Sequence, residues 1–325
     1  MKRPAVAGRG ATARVPVCLR VTAIEEAAED VRVLRLADAG GADLPAWEPG
    51  AHLELLLSGE VRRQYSLCGS LSDPAEWSIG VLRADPSRGG SAYLHDHVAA
   101  GDELDVTGFH NLFPLLPAER YVFIAGGIGI TPILPMIEAA EAAGSAWELH
   151  YGGRHRLSMP FRDRLAEHAD RVTLYPHDEC GLIDLDRALA GVGPDVLVYA
   201  CGPEPLLDVL GERSARTSMQ LHTERFAPAS AADDASSTPF EVELVRTGVT
   251  MQVPADRSII DVLEDIGVDV LTSCREGICG TCETEVLGGQ PDHRDSLLSD
   301  EERETGNTMM LCVSRARSPR LVLDL

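Results

Sequence analysis

Cys274-Arg-Glu-Gly277-Ile-Cys279-Gly280-Thr-Cys282 is followed, after 29 intervening residues, by Cys312. The spacing is C-x4-C-x2-C…C. Three thiolates drawn from one loop must converge on two irons, so the loop has to wrap tightly. Gly277 and Gly280 sit inside it and can supply positive φ or close backbone approach. Backbone N–H groups of such a loop can point at the cluster sulfurs. The fourth cysteine closes the cage from a distant strand. This is the spacing of a plant-type 2Fe–2S site. A zinc site more often pairs two short C-x2-C knuckles, and only one such pair is present. Cys274, Cys279, Cys282 and Cys312 are therefore expected to ligate a 2Fe–2S cluster.

Around this loop, residues 240–325 read as an independent unit. A hairpin pattern, Phe240–Val245 and Thr250–Val253, leads into an amphipathic helical stretch, Ser258–Ile266. The preceding run, Ala227 to Pro239, is small, polar and proline-bearing without periodicity, and residues 229–239 are assigned as a linker. Residues 117–228 have another texture. Continuous apolar runs, Tyr121–Ala125, Trp147–Tyr151, Val172–Tyr175 and Val196–Ala200, alternate with helical patterns at Ile133–Ala143, Pro160–His168 and Pro205–Arg213. Buried strands alternating with helices predict a parallel α/β sheet. Residues 15–116 carry short alternating strands, among them Val31–Leu36, His52–Leu56 and Ser78–Leu82, separated by glycine, proline and aspartate turns. That spacing suggests a barrel or sandwich.

A length of 325 residues suits two or three such domains, and 44% hydrophobic with 25% charged residues fits ordinary globular units. The net charge of −22 argues against nucleic acid or an anionic membrane as a partner, and suits a basic patch on a partner protein. No stretch approaches the roughly 18 apolar residues of a membrane span. Residues 1–14 have basic residues but no apolar h-region, so they read as a loose tail and not as a signal peptide. A cytoplasmic location is expected, where eight cysteines do not suggest a disulfide framework. Cys18 and Cys180 are expected to be buried, unreactive thiols.

Three further segments point to bound phosphates. Tyr121-Val-Phe-Ile-Ala-Gly126-Gly127-Ile128-Gly129-Ile-Thr131-Pro132 runs from a strand through a glycine turn into a helix. Thr131 suits the N-cap and Pro132 the first helical position. The turn lacks the G-x-G-x-x-G fingerprint and alone is also compatible with a tight connection. A second strand, Val196–Ala200, runs into Cys201-Gly202-Pro203. Two glycine-bearing strand ends in one sheet suggest a dinucleotide crevice. In the first segment, Arg62-Arg63-Gln64-Tyr65-Ser66-Leu67-Cys68 falls on a strand, with Arg63, Tyr65 and Leu67 on one face and Ser66 on the other. An arginine and an aromatic two apart can grip a phosphate and cover a ring, but the segment alone also reads as an edge strand. Arg88-Gly89-Gly90-Ser91, ahead of the helical pattern Ala92–Val98, forms another anion site.

These motifs, in this order, resemble the phthalate dioxygenase reductase and vanillate demethylase reductase family over nearly the whole chain. Asp292-His-Arg-Asp295, Cys312-Val-Ser-Arg315 and Leu321-Val-Leu-Asp-Leu325 are similar to the way that family ends. The resemblance implies a multidomain α/β and β architecture: a six-stranded antiparallel FMN-binding β-barrel, a parallel α/β nucleotide-binding domain and a C-terminal β-grasp plant-type ferredoxin domain. It implies that Arg63, Tyr65, Ser66 and Leu67 line the flavin and that Gly89, Gly90 and Ser91 help hold its phosphate. Gly126, Gly127, Ile128, Gly129, Thr131 and Pro132, with Cys201, Gly202 and Pro203, would bind the dinucleotide. Thr131 would lie where flavin and nicotinamide meet, and Phe226 by the flavin. FMN is favoured over FAD.

Gly152-Gly-Arg154-His-Arg156 is more basic than the resemblance leads one to expect, and arginines near there can hold the 2′-phosphate of NADPH. NADH is still favoured, because Arg154 can contact its pyrophosphate or ribose. Hydride transfer needs no acid or base, so no catalytic residue is assigned, and His95, His97 and His110 are taken as surface or structural. The implied circuit runs from NADH to FMN to 2Fe–2S to a partner oxygenase, either Rieske-type or haem-thiolate, with the cluster on the order of −400 mV. The alternative is a stand-alone NAD(P)H reductase with another acceptor. Residues 240–325 hold 17 acidic and 8 basic residues, so the oxygenase is expected to dock near the ferredoxin domain through a basic patch. A monomer is expected.

Overall fold

Alternation in the first hundred residues becomes a six-stranded sheet in the computed structural model, which describes residues 18–58, 61–87, 89–227, 238–272 and 274–325. The expected tail, Arg88 and most of the linker lie outside the described residues. The strands are β1 (Cys18–Ala28), β2 (Val31–Asp38), β3 (Ala51–Leu57), β4 (Val61–Ser66), β5 (Trp77–Leu82) and, after helix α1 (Gly90–Asp96), β6 (Glu103–Asn111). Their order is β4-β3-β6-β1-β2-β5, with every neighbour antiparallel. Period-two patterning sends Leu19, Leu34, Leu53, Leu67 and Ile79 into one core. Beyond β4 the chain crosses to the far edge strand: Leu67 bridges Ile79, and the Cys68 N–H donates to Ser78 O at 2.9 Å.

From residue 120 strands alternate with helices, and strands buried on both faces replace the alternation of single residues. The elements are β7 (Arg120–Gly126), a 3₁₀ turn (Gly127–Gly129), α2 (Ile130–Ala142), β8 (Ala146–Gly153), α3 (Arg162–Leu165), β9 (Val172–Pro176), α4 (His177–Cys180), α5 (Leu185–Ala188), β10 (Val196–Cys201), α6 (Glu204–Ala215) and β11 (Gln220–Glu224). The sheet is parallel, in the order β11-β10-β7-β8-β9. All six residues of β10 are buried. The first strand of this sheet, β7, is central, so the winding reverses between β7 and β10. That reversal opens a crevice at the carboxyl ends of the two strands.

Several expectations are corrected by the structure, among them Pro132 as first helical residue, since it is the third. Helix α2 begins at Ile130, not Ile133, because the 3₁₀ turn runs straight into it. Thr131 is therefore inside the first turn and Gly129 is the N-cap; the Thr131 hydroxyl donates back to Ile128 O at 3.0 Å. Pro160–His168 yields only the short α3 and a 3₁₀ turn, with Phe161 in the left-handed region (φ 63°) where a continuous helix would need αR. Cys180 is exposed and Cys18 partly so, whereas Cys68 and Cys201 are buried.

The chain divides into two units, the first ending at Phe226 and the second running from Ala227. The second contains β12 (Phe240–Leu244), β13 (Val249–Val253), α7 (Ile259–Asp265), β14 (Glu283–Gly288), β15 (Pro291–Asp292), α8 (Asp300–Thr305), β16 (Thr308–Met310), β17 (Arg315–Ala316) and β18 (Arg320–Leu323). Its main sheet runs β13-β12-β18-β14-β16, with β12 and β18 parallel. Ser258 caps α7: its hydroxyl accepts from Asp261 N–H at 3.2 Å, and the Asp261 carboxylate accepts from Ser258 N–H at 3.0 Å. The helix buries Ile259, Ile260, Val262 and Leu263 against the sheet. Among the described residues no helix is long and apolar enough to cross a membrane.

Candidate functional site

The two glycine turns expected from sequence are pressed against each other at the reversal point. Ala125 of β7 pairs with Cys201 of β10. A Cβ on Gly129 would meet Cys201 O at 2.3 Å, and one on Gly126 would meet Pro203 Cδ at 2.5 Å. Gly202 would reach Gly126 N at 3.0 Å. Gly127 needs its φ of +55° to start the 3₁₀ turn. The turns thus leave bare backbone at a helix start, which suits a pyrophosphate. Pro132 follows inside α2, and both it and Thr131 are buried. Arg154 leaves the end of β8, exposed, with Nη2 4.0 Å from Asp30 Oδ2.

The crevice between the glycine turns adjoins the antiparallel sheet at β5. A Cβ on Gly80 of β5 would lie 2.7 Å from the Thr131 methyl and 3.5 Å from Ile128 Cδ1. Only glycine lets the two sheets approach there.

On β4, Arg63 lies over the start of α1: a Cβ on Gly90 would sit 2.4 Å from Arg63 Cγ and 3.2 Å from Nε. Gly89, at φ +95°, makes the turn ahead of that helix. The Ser91 hydroxyl is engaged by Ala84 N–H at 3.1 Å, and Ser87 Oγ accepts from Gly89 N–H at 3.2 Å. Tyr65 pairs with Leu53, and burial raises its phenol well above the usual range. Leu67 is wholly buried in the core, so it can line a site only through its backbone. An arginine over a glycine turn, with a tyrosine on the same face of the strand, fits a phosphorylated ring cofactor. Phe226 leaves a large ring 39% exposed just beyond β11.

Sequence reasoning missed Glu224. It ends β11 opposite Cys201, and its Oε2 lies 3.5 Å from Ser66 Oγ of β4. Burial pushes its carboxyl up to about 8, against the lowering effect of the Ser66 bond. Burial, then the nearby Glu224, raises the Cys201 thiol well above its ordinary value. No local pattern marks this residue. The contact joins strands 158 positions apart, and only the assembled sheets reveal it.

The four cysteines of the second unit converge. The Cys274 thiol is within hydrogen-bonding reach of Cys279 and Cys312, and Cys312 is within reach of Cys282. Glu276 N–H donates to Cys274 Sγ at 3.3 Å and Cys274 N–H to Cys279 Sγ at 3.5 Å. Bonds from Cys279 and Cys312, helped by backbone N–H groups of Glu276 and Ile278, hold the Cys274 thiol below its ordinary value, and the same bonds raise Cys279 and Cys312. Cys312 likewise lowers Cys282. Gly277 and Gly280 adopt φ of 71° and 70°, as the wrapping required. The loop is braced from outside: Ser296 N–H donates to Gly277 O at 2.9 Å, and a Cβ on Gly277 would meet Val313 Cγ2 at 2.6 Å. Converging sulfurs ringed by backbone donors fit a 2Fe–2S cluster.

An antiparallel sheet with an arginine over a glycine turn, a parallel sheet with paired glycine turns and a four-cysteine loop fit an electron-transfer iron–sulfur flavoprotein. Residues 242–317 match the 2Fe-2S iron-sulfur cluster binding domain. The chain is 41% identical over 325 residues to the phenoxybenzoate dioxygenase subunit beta of Ectopseudomonas oleovorans, covering 97% of this chain and 99% of that one. The structure of a phthalate dioxygenase reductase superposes with a TM-score of 0.71 at 36% identity, over 95% of this chain and 97% of that one. An intact type IV self-sufficient cytochrome P450 monooxygenase superposes with a TM-score of 0.85 at 41% identity. That match covers 100% of this chain, which spans only 43% of the monooxygenase's length. The chain belongs to the phthalate dioxygenase reductase family, the oxidoreductases of oxygenase systems.

Proposed function

We propose that the chain carries electrons from NADH through FMN and its 2Fe–2S cluster to an oxygenase, either a Rieske-type aromatic-ring oxygenase or demethylase, or a haem-thiolate monooxygenase. The observation that carries this reading is the approach of Thr131 to Gly80, which sets the nucleotide crevice against the sheet that carries Arg63 and Tyr65. The proposed domains are an FMN domain at 15–116, its sheet closed into a barrel through the Leu67–Ile79 bridge, a dinucleotide domain at 117–228 and a β-grasp ferredoxin domain at 240–325, acting as a monomer.

A bound flavin would supply an acceptor for two electrons that can be emptied one at a time, and a bound cluster a one-electron relay. The chain's own residues supply placement. Arg63 and the bare turn at Gly89–Gly90 would hold the flavin phosphate, and Ser91 would keep that turn closed. Tyr65, the Leu67 backbone and Phe226 would border the ring. Gly126–Gly129 and Cys201–Pro203 would admit the pyrophosphate, and Thr131 would set how deep the nicotinamide sits. The Glu224 carboxyl, bonded to Ser66, would hold a proton at neutral pH beside the flavin strand. Cys274, Cys279, Cys282 and Cys312 would ligate the cluster. The acidic surface of residues 240–325 would favour a basic face on the oxygenase.

Acid release of the cofactor followed by chromatography tests the flavin assignment. FMN is expected, and FAD would overturn it.

A further inference from the structure

The loop Arg154-His155-Arg156 is basic in sequence but not in its setting. It leaves the carboxyl end of β8, next to the glycine turn of β7, since Gly126 and Gly152 are register partners. Acidic elements enclose it from two sides. One is the turn between β1 and β2. There Glu29 N–H donates to Leu157 O at 2.8 Å, His155 Nε2 is 3.3 Å from Glu29 Oε2, and Arg154 is 4.0 Å from Asp30. The other is α4, after β9. Asp178 N–H donates to Arg154 O at 3.2 Å, and Arg156 forms a two-pronged pair with Glu179. In that pair Nε–Oε1 is 2.7 Å and Nη2–Oε2 is 2.9 Å. Asp30 thus faces Arg154, Glu29 faces His155 and Glu179 faces Arg156, with the Asp178 charge acting on Arg156 as well. The Arg156 guanidinium is already bound on both prongs.

In open α/β sheets the segment after the second strand meets the adenosine ribose. A carboxylate there accepts from a 2′-hydroxyl, whereas a free arginine holds a 2′-phosphate. A phosphate monoester would bring nearly two further negative charges into an already negative rim. We infer that Glu179, by holding Arg156 in a bidentate pair within this rim, makes the chain select a dinucleotide with a free 2′-hydroxyl. The inference rests on the crevice reading of the proposed function and assigns its selectivity to a residue.

The test uses the full-length holoprotein with ferricyanide as acceptor and compares NADH with NADPH. In parallel, 5′-AMP and 2′,5′-ADP are titrated calorimetrically. The wild type is expected to prefer NADH and 5′-AMP. Glu179→Gln should raise the NADPH-to-NADH ratio of kcat/KM about tenfold and move the two titrated nucleotides in the same direction, the size of one close charge interaction. Asp30→Asn, which frees Arg154 on the other side, carries the same expectation if Glu179→Gln does not fold. Ratios unmoved within about twofold, in a wild type that prefers NADH, would overturn the role of Glu179. A wild type that prefers NADPH would instead overturn the NADH assignment itself.

Discussion

A side chain on Gly129 would collide with the carbonyl oxygen of Cys201, because a Cβ there would stand only 2.3 Å from it. Gly129 has φ −62°, so its need for glycine is close approach and not backbone freedom. Gly127 is the reverse, with φ +55° and open space around it. Gly129→Ala is expected to lower stability by about 1–3 kcal/mol through overpacking. Gly127→Ala should cost roughly 1–2 kcal/mol through left-handed strain. Thermal unfolding measures both, and the Gly129 change should also weaken NADH binding, since it forces the two turns apart.

Arg63 lies across Gly90, so either residue can disturb the proposed phosphate grip. Arg63→Ala should weaken flavin retention by about tenfold to a hundredfold, the worth of a charge-assisted hydrogen bond. Gly90→Ala should weaken it too, by pushing the guanidinium aside. Equilibrium dialysis of FMN reads both. Retention unchanged in both variants would place the phosphate elsewhere.

Cys279→Ser separates the cluster from the rest of the circuit. The variant should lose the visible signature of the 2Fe–2S site and its delivery of electrons to a one-electron protein acceptor. Ferricyanide reduction with NADH should continue. Loss of both activities together would mean that the cysteine loop supports the flavin site and not only the exit.

Burial of the Glu224 carboxyl pushes it up to about 8 in the folded chain against an ordinary 4.5. The folded state therefore holds a proton over that interval which the unfolded state has released. The stability from this group is fully present below about 4.5 and is lost as pH rises through about 8. Glu224→Gln should flatten that decline, which urea unfolding across this pH window would measure. A variant that declines as steeply as the wild type would contradict the burial of a carboxylic acid there.

Much of this was legible in the sequence because the informative signals are local. The cysteine spacing and its two glycines specify a loop that must wrap, and the loop does so with φ of 71° and 70° at those positions. Runs such as Val196–Ala200 are apolar without alternation because both faces are covered, and β10 is buried throughout. The helical stretch expected at Ser258–Ile266 forms α7, with Ser258 as its cap. Thr131 did not, because a cap residue needs non-helical backbone ahead of the helix, and the 3₁₀ turn supplies continuity instead. Glu224 and Gly80 were missed for a related reason. Their importance lies in contacts between sheets, with Ser66 and Thr131, and a strand-end glutamate or a mid-strand glycine gives no periodic signal of a partner so distant in the chain.

The central claim is that flavin and cluster belong to one circuit entered from the nicotinamide. Anaerobic titration of the holoprotein, followed by visible absorbance and by paramagnetic resonance of the reduced cluster, tests it most directly. The account predicts uptake of about three electrons per chain, two by the flavin and one by the cluster, with NADH alone able to reduce the cluster. A cluster that dithionite reduces but NADH leaves oxidised, in protein whose flavin NADH has bleached, would contradict it.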